Sequence, residues 1–197
     1  MALSIQHRRT RNFLPGAFFM TDAKRCPNPA GVIKNLPGDC AVIFRDYKAP
    51  NREALALRLA GLCQKKGLTF LVAGDARLAR RVGADGIHIP EWLLPRIGFA
   101  GQVKKHWIIT ASAHNVGALR RAELSGADAV LLAPVFHTES HPEKAGLGIH
   151  RLQRLAAYSS LPFYALGGMN AEKMKRLPPM DNLAGVAGIS LFMEKRG

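Results

Sequence analysis

Apolar positions in this chain gather into short runs that recur along its length, and the stretches between several runs carry apolar residues at helical spacing. Runs at Ala17–Thr21, Ala41–Phe44, Thr69–Val72, Gly86–Ile89, Trp107–Thr110, Ala129–Leu132, Phe163–Leu166 and Gly185–Ala187 each read as a short strand buried on both faces. Between them, Asn51 to Lys66 places Leu55, Leu59 and Leu62 on one helix face, with Arg52, Arg58 and Lys65 largely elsewhere. Asp75 to Val82 and Asn115 to Leu124 read as helices that open on an N-capping side chain. The phrases Gly83-Ala84-Asp85-Gly86-Ile87 and Gly126-Ala127-Asp128-Ala129-Val130 repeat one device: a helix-ending glycine, a short turn, then a strand.

Alternating strands and helices fit either an open doubly wound sheet or a closed ring, and eight units favour closure. The expected fold is α/β, a TIM (β/α)8 barrel in a single domain. Residues just past each strand then converge on the C-terminal face of the ring, where such barrels carry their sites. Those residues are Asp22, Arg45, Asp46, Ala73, Gly74, His88, Pro90, Ser112, His114, the segment from Phe136 to His141, Gly167, Gly168, and Gly188 to Ser190.

Two stretches stand out chemically. From Ala127 to Gly148 a buried run breaks at Pro134 into a loop carrying Thr138, Ser140, His137 and His141. From Leu161 to Asn170 another run ends in Gly167-Gly168 before a helix start, and Gly188-Ile189-Ser190 follows the last run in the same way. Glycine-rich turns between strand and helix let backbone N–H groups approach an anion, so the two adjacent turns suggest a phosphate pocket; tight turns without a ligand are the plainer alternative.

Composition narrows the picture. With 197 residues and 48% hydrophobic content, the chain can bury one good core. Residues 1–12 form a basic tail that includes His7-Arg8-Arg9-Thr10-Arg11, leading into a barrel domain over 13–197. The apolar stretch after the tail resembles a signal peptide until Pro15-Gly16 interrupts it, and no apolar run is long enough to span a bilayer. Three cysteines at wide spacing indicate neither a disulfide framework nor a zinc site, and suit a reducing cytoplasm. The formal charge of +14 raises nucleic acid as a partner. Its distribution points away from it: Arg80-Arg81, Lys104-Lys105, Arg120-Arg121 and the group Lys173, Lys175, Arg176 sit on separate helices without interleaved aromatics, as solvated outer faces.

Phe18-Phe19-Met20-Thr21-Asp22, Val42 to Asp46, Ala84 to Ile89, Ser112-Ala113-His114-Asn115, Gly126 to Thr138 and Ala165 to Met169 follow one another in the order seen in a known family. Together they resemble the thiamine-phosphate synthase and thiazole tautomerase (TenI) superfamily. The resemblance implies a homo-oligomer, dimer or tetramer, that binds a small phosphorylated thiazole. It also implies that Thr138 and Ser140 contact a diphosphate or thiazole phosphate, and that Gly167, Gly168, Gly188, Ile189 and Ser190 hold the phosphate.

Departures from the family pattern bear on the reaction. A synthase displaces pyrophosphate and needs Mg²⁺ held by acidic side chains. Where its pattern has Asn-Asp after strand three this chain has Ala73-Gly74, and where a further Asp follows strand four it has Leu93. The diphosphate-cradling Gln-x-Arg-x-Lys becomes Ile43-Phe44-Arg45-Asp46-Tyr47, and a Lys becomes His141. A thiazole tautomerase needs a phosphate anchor and a proton carrier, and His114 matches its histidine, although many synthases share it. The expectation is a thiazole tautomerase-like isomerase without cofactor: His114 carries the proton, and Arg45, His88, Ser112, Phe136, Thr138 and Ser140 contact the substrate. His88 reads equally well as a satisfied rim histidine. The rivals are a synthase with Mg²⁺ on Asp22, Asp46 or Glu91, and a catalytically silent phosphate-binding homologue.

Overall fold

Strands built from consecutive apolar residues offer no face to water, and a ring filled by its own side chains and jacketed by helices covers both sides. The computed structural model describes residues 14–94, 106–137 and 146–193. Its parallel strands are β1 (Ala17–Met20), β2 (Cys40–Phe44), β3 (Thr69–Ala73), β4 (Gly86–Ile89), β5 (Ile108–Ala113), β6 (Ala129–Leu132), β7 (Phe163–Leu166) and β8 (Leu183–Gly188). They pair in chain order and close, with Ala17 of β1 opposite both Cys40 of β2 and Val186 of β8. The helices are α1 (Pro29–Asn35), α2 (Arg52–Lys66), α3 (Ala76–Arg81), α4 (Val116–Leu124), α5 (Gly148–Ala156) and α6 (Ala171–Lys175), with 3-10 turns at Glu91–Leu93 and Ser190–Phe192. The eight-stranded barrel read from the apolar runs is the observed fold.

Closure depends on small residues. A Cβ on Gly185 would lie 2.0 Å from the Gly16 carbonyl oxygen, and one on Gly86 would lie 2.0 Å from that of Ile108. Beside Gly185, the Tyr164 ring meets Phe18 edge to face at 4.6 Å, and its hydroxyl donates to the Pro15 carbonyl at 2.6 Å, tying β7 to the chain entering β1.

The repeated Gly-Ala-Asp device does more than end a helix. Gly83 and Gly126 take φ of 67° and 73°, as expected of helix-ending glycines. Asp85 then accepts the Phe70 N–H at 2.8 Å, while its own N–H donates to the Phe70 carbonyl at 2.9 Å. Asp128 does the same with Ile109, at 2.8 and 2.7 Å. Each aspartate thus clamps the start of the preceding strand, at the end of the ring opposite the mouth.

Several strand ends differ from the apolar pattern by one to three residues, β5 most of all, and the buried face of α2 is also shifted. β5 runs on through Ala113, so Ser112 belongs to the strand and not to the loop after it; pairing with Leu131 of β6 outweighs its polarity. On α2 the buried face is Ala56, Leu59 and Cys63, one step round from the leucine stripe, with Leu55 and Leu62 half-buried. Asp75 and Asn115 cap their helices as expected, accepting from the Leu78 and Ala118 N–H groups. Cys26, Cys40 and Cys63 are buried free thiols, and burial pushes the Cys63 thiol up to about 12, which keeps it unreactive. Among the described residues, no helix is long and apolar enough to cross a membrane.

Candidate active site

Parallel closure brings the C-terminal ends of all eight strands to one mouth. At the ends of β1 and β2, Thr21 Oγ1 accepts the Arg45 N–H at 2.9 Å, and Arg45 Nη2 reaches Asp22 Oδ2 at 2.7 Å. Arg25 bonds the same carboxylate at 2.8 Å. Burial acts to raise the Asp22 pKa, but the hydrogen bonds from Arg25 and the charges of Arg25 and Arg45 outweigh it and hold the carboxyl below its usual value.

His88 is 1% exposed, with Nδ1 2.9 Å from Thr110 Oγ1 and Nε2 2.8 Å from Ser112 Oγ, both on β5. Burial, aided by the nearby positive charge of Arg45, lowers its pKa to about 3, so the imidazole is neutral. Both ring nitrogens are bonded to β5 hydroxyls, which favours the satisfied-histidine alternative for His88 over a direct substrate contact and places it deeper than the rim. Ser112, half-buried at its upper end, is the member of the chain that reaches the mouth.

His114 follows β5 directly. Its Nδ1 is hydrogen-bonded to Glu91 Oε2, and its backbone N–H donates to the same oxygen at 3.0 Å. Glu91, opening the 3-10 turn after β4, also takes Asn115 at 3.4 Å and stands 3.8 Å from Arg121 Nη2. With Nδ1–H given to the carboxylate, the lone pair of the neutral ring lies on Nε2. The side chain is 50% exposed, so that nitrogen can meet a ligand.

On the far side of the ring the glycine turn is held tightly. Gly167 and Gly168 have φ of 103° and 60°; a Cβ on the first would meet Pro134 Cα at 2.7 Å, and on the second the His137 carbonyl oxygen at 2.4 Å. The Phe136 N–H donates to the Gly167 carbonyl at 3.1 Å. Lys173 Nζ donates to the Gly168 carbonyl at 3.0 Å and lies 5.1 Å from the Phe136 ring centroid. Lys173 therefore belongs to the mouth, which corrects its reading as part of a solvated outer face. Because α6 spans only five residues, positive potential here comes from Lys173 more than from aligned helix peptides. Gly188 is the last residue of β8, Ile189 is buried, and exposed Ser190 opens the final 3-10 turn.

A family model described as thiamine monophosphate synthase matches residues 17–192. The chain belongs to that family. It is 35% identical over 186 residues to a protein provisionally named thiamine-phosphate synthase 2 from Aquifex aeolicus (strain VF5), covering 92% of this chain and 99% of the other. It is 32% identical over 157 residues to a thiamine-phosphate synthase of Lactococcus lactis subsp. lactis (strain IL1403), covering 77% and 73%. Among solved structures, thiamine phosphate pyrophosphorylase from Pyrococcus furiosus superposes with a TM-score of 0.75 at 25% identity, covering 93% and 90%. The relation places the chain among the enzymes of thiamine biosynthesis.

After β3 the chain continues as Gly74-Asp75. Gly74 has φ of 70°, and a Cβ there would stand 3.3 Å from the Tyr47 ring. Arg52 fills the space beside it, donating to the Ala73 carbonyl at 3.0 Å, Asp75 at 3.0 Å and the Asp46 carbonyl at 3.2 Å, with its guanidinium near the Phe44 and Tyr47 rings. Arg52, off the leucine face of α2 as expected, is turned toward the end of β3. Leu93 is buried. A magnesium ion wants several carboxylate oxygens open to one point. Here Asp22 is taken by two arginines and Glu91 is given to His114, while Asp46 accepts the Ala23 N–H at 2.6 Å with one oxygen and keeps Oδ2 buried without a hydrogen-bond partner among the described residues. Among the described residues, no three His, Cys, Asp or Glu side chains gather. Nor do the described residues offer such a cluster of open carboxylate oxygens.

Thr138, Ser140 and His141 lie outside the described residues; His137 is exposed. Sequence reasoning missed the orienting role of Glu91, the place of Lys173, and Thr110 as the inner partner of His88. For Glu91 a signal existed: an acid two residues past one apolar run and a histidine four residues past the next fall at the ends of neighbouring strands.

Proposed function

We propose that the chain is a metal-independent proton-transfer isomerase acting on a phosphorylated thiazole carboxylate. The Glu91–His114 pair carries this reading: a carboxylate that fixes one imidazole nitrogen leaves the other as the acceptor of a carbon-bound proton, and the resulting imidazolium returns it at another position. Isomerisation needs neither a leaving group nor a second substrate, and so requires no gathered carboxylate shell. The phosphate would sit at Gly167, Gly168 and Gly188 to Ser190, neutralised by Lys173. Arg45 and Ser112 would face the carboxylate, Phe136 the ring, and Thr138 and Ser140 the phosphate side. The test is to incubate the protein with the thiazole carboxylate phosphate in deuterated buffer containing a chelator and to follow the ring protons by NMR. Conversion with solvent deuterium entering the product supports the reading.

The names of the Aquifex and Lactococcus relatives favour a second reading, thiamine-phosphate synthesis from a pyrimidine diphosphate and a thiazole phosphate. Metal-dependent formation of thiamine phosphate at an ordinary rate would overturn the isomerase in its favour. Tight binding of the thiazole phosphate with no turnover in either assay would leave a silent homologue.

A further inference from the structure

The buried chain Thr110–His88–Ser112 has a direction, and the direction is set by counting hydrogens. Thr110 is 0% exposed, and among the described residues its hydroxyl oxygen meets only His88 Nδ1. If Nδ1 carried the ring proton, the Thr110 hydroxyl hydrogen would be buried with no acceptor, a loss of about 1–3 kcal/mol. If Thr110 donates to Nδ1, that loss disappears and the ring proton moves to Nε2. Nε2–H then donates to Ser112 Oγ, which leaves the Ser112 hydroxyl hydrogen without an internal acceptor. Ser112 is the half-buried member at the mouth, and Arg45, whose charge is felt at His88, adds positive potential there.

We propose that His88 is a positioning residue that sets Ser112 as an obligate hydrogen-bond donor to an anionic oxygen of the ligand, with Thr110 fixing the tautomer from below. The ligand class rests on the isomerase reading; the orientation of the chain does not. A neutral imidazole suits this role, since a doubly protonated ring would take the acceptor from Thr110. The arrangement discriminates by hydrogen-bond sense: it favours a carboxylate or phosphate oxygen over an N–H group at the same place.

Two measurements test it. In protein labelled with ¹⁵N histidine, His88 should show a protonated Nε2 and a bare, hydrogen-bonded Nδ1, unchanged between pH 5 and 9; a protonated Nδ1 sinks the proposal whatever the enzyme's substrate. The second is a binding cycle with the thiazole carboxylate phosphate on Ser112→Ala, Thr110→Val and the double variant, with Thr110→Ser as the fold-preserving control. Each single change should weaken binding about 10–100-fold, the double change no further, and Thr110→Ser should retain affinity and tautomer. Additive losses, or a Thr110→Ser variant as weak as Thr110→Val, would overturn the relay. Should the substrate itself be wrong, no variant will matter for binding while the ¹⁵N result still stands.

Discussion

In the proposed isomerase, one imidazole, that of His114, carries the chemistry at the mouth. Replacing His114 with Ala should lower turnover by about 10²–10⁴-fold while leaving affinity for the thiazole phosphate nearly intact, as judged by single-turnover rates beside equilibrium titration. Glu91→Gln keeps the shape but can no longer stabilise the imidazolium; its rate should fall by a smaller factor, roughly 10–100-fold. Lys173→Met should weaken phosphate binding most at low ionic strength, because the lost term is chiefly coulombic. Arg45 could be placed at a strand end because it follows directly on the Ala41–Phe44 run, whereas His114 comes four residues after Trp107–Thr110 and was singled out by the resemblance. Lys173 was not legible in the chain: its neighbours Lys175 and Arg176 made it look like one member of a solvated cluster, and only the fold lays it over Phe136. His88 was half legible, since a histidine inside an apolar run reads as buried or as rim until its two hydroxyl partners on the next strand are seen.

Strands, being short and continuously apolar, could be found from the chain with end errors of at most three residues, and β4, β6 and β7 with none; their ends depend on pairing that local pattern does not contain. β5 is the case with consequences, because its extension through Ala113 turns Ser112 from a loop residue into one aligned with His88. The glycine turn after β7 makes a second prediction. Gly168→Ala puts a methyl group 2.4 Å from the His137 carbonyl oxygen at a positive φ, so it should lower stability by about 1–3 kcal/mol in urea unfolding and also weaken phosphate binding. Gly126→Ala meets nothing within 4 Å, so its loss should come from backbone conformation alone, about 1 kcal/mol, with phosphate affinity unchanged. Comparing the two separates conformational strain from damage to the cradle.

For the molecule as a whole, acid is the informative stress. His88 has a folded pKa of about 3 against an ordinary value of 6.5, so the unfolded chain binds the extra proton first. Its contribution to stability is complete above about pH 6.5 and declines as pH falls toward 3; Asp22, held below the usual carboxylate value, adds a further loss beneath about pH 4. Urea midpoints measured from pH 7 to pH 4 should therefore fall for the native chain and fall less for His88→Gln. The eight-unit ring itself was readable because eight short apolar runs separated by helix-length stretches admit few other closures. What could not be read was how the ring is fastened. Asp85 and Asp128 lock paired strands at the base, and neither reaches toward the mouth. Chimeras bearing foreign loops after β3 or β6 should therefore still assemble, which makes this small chain a scaffold on which new specificities can be grafted from above.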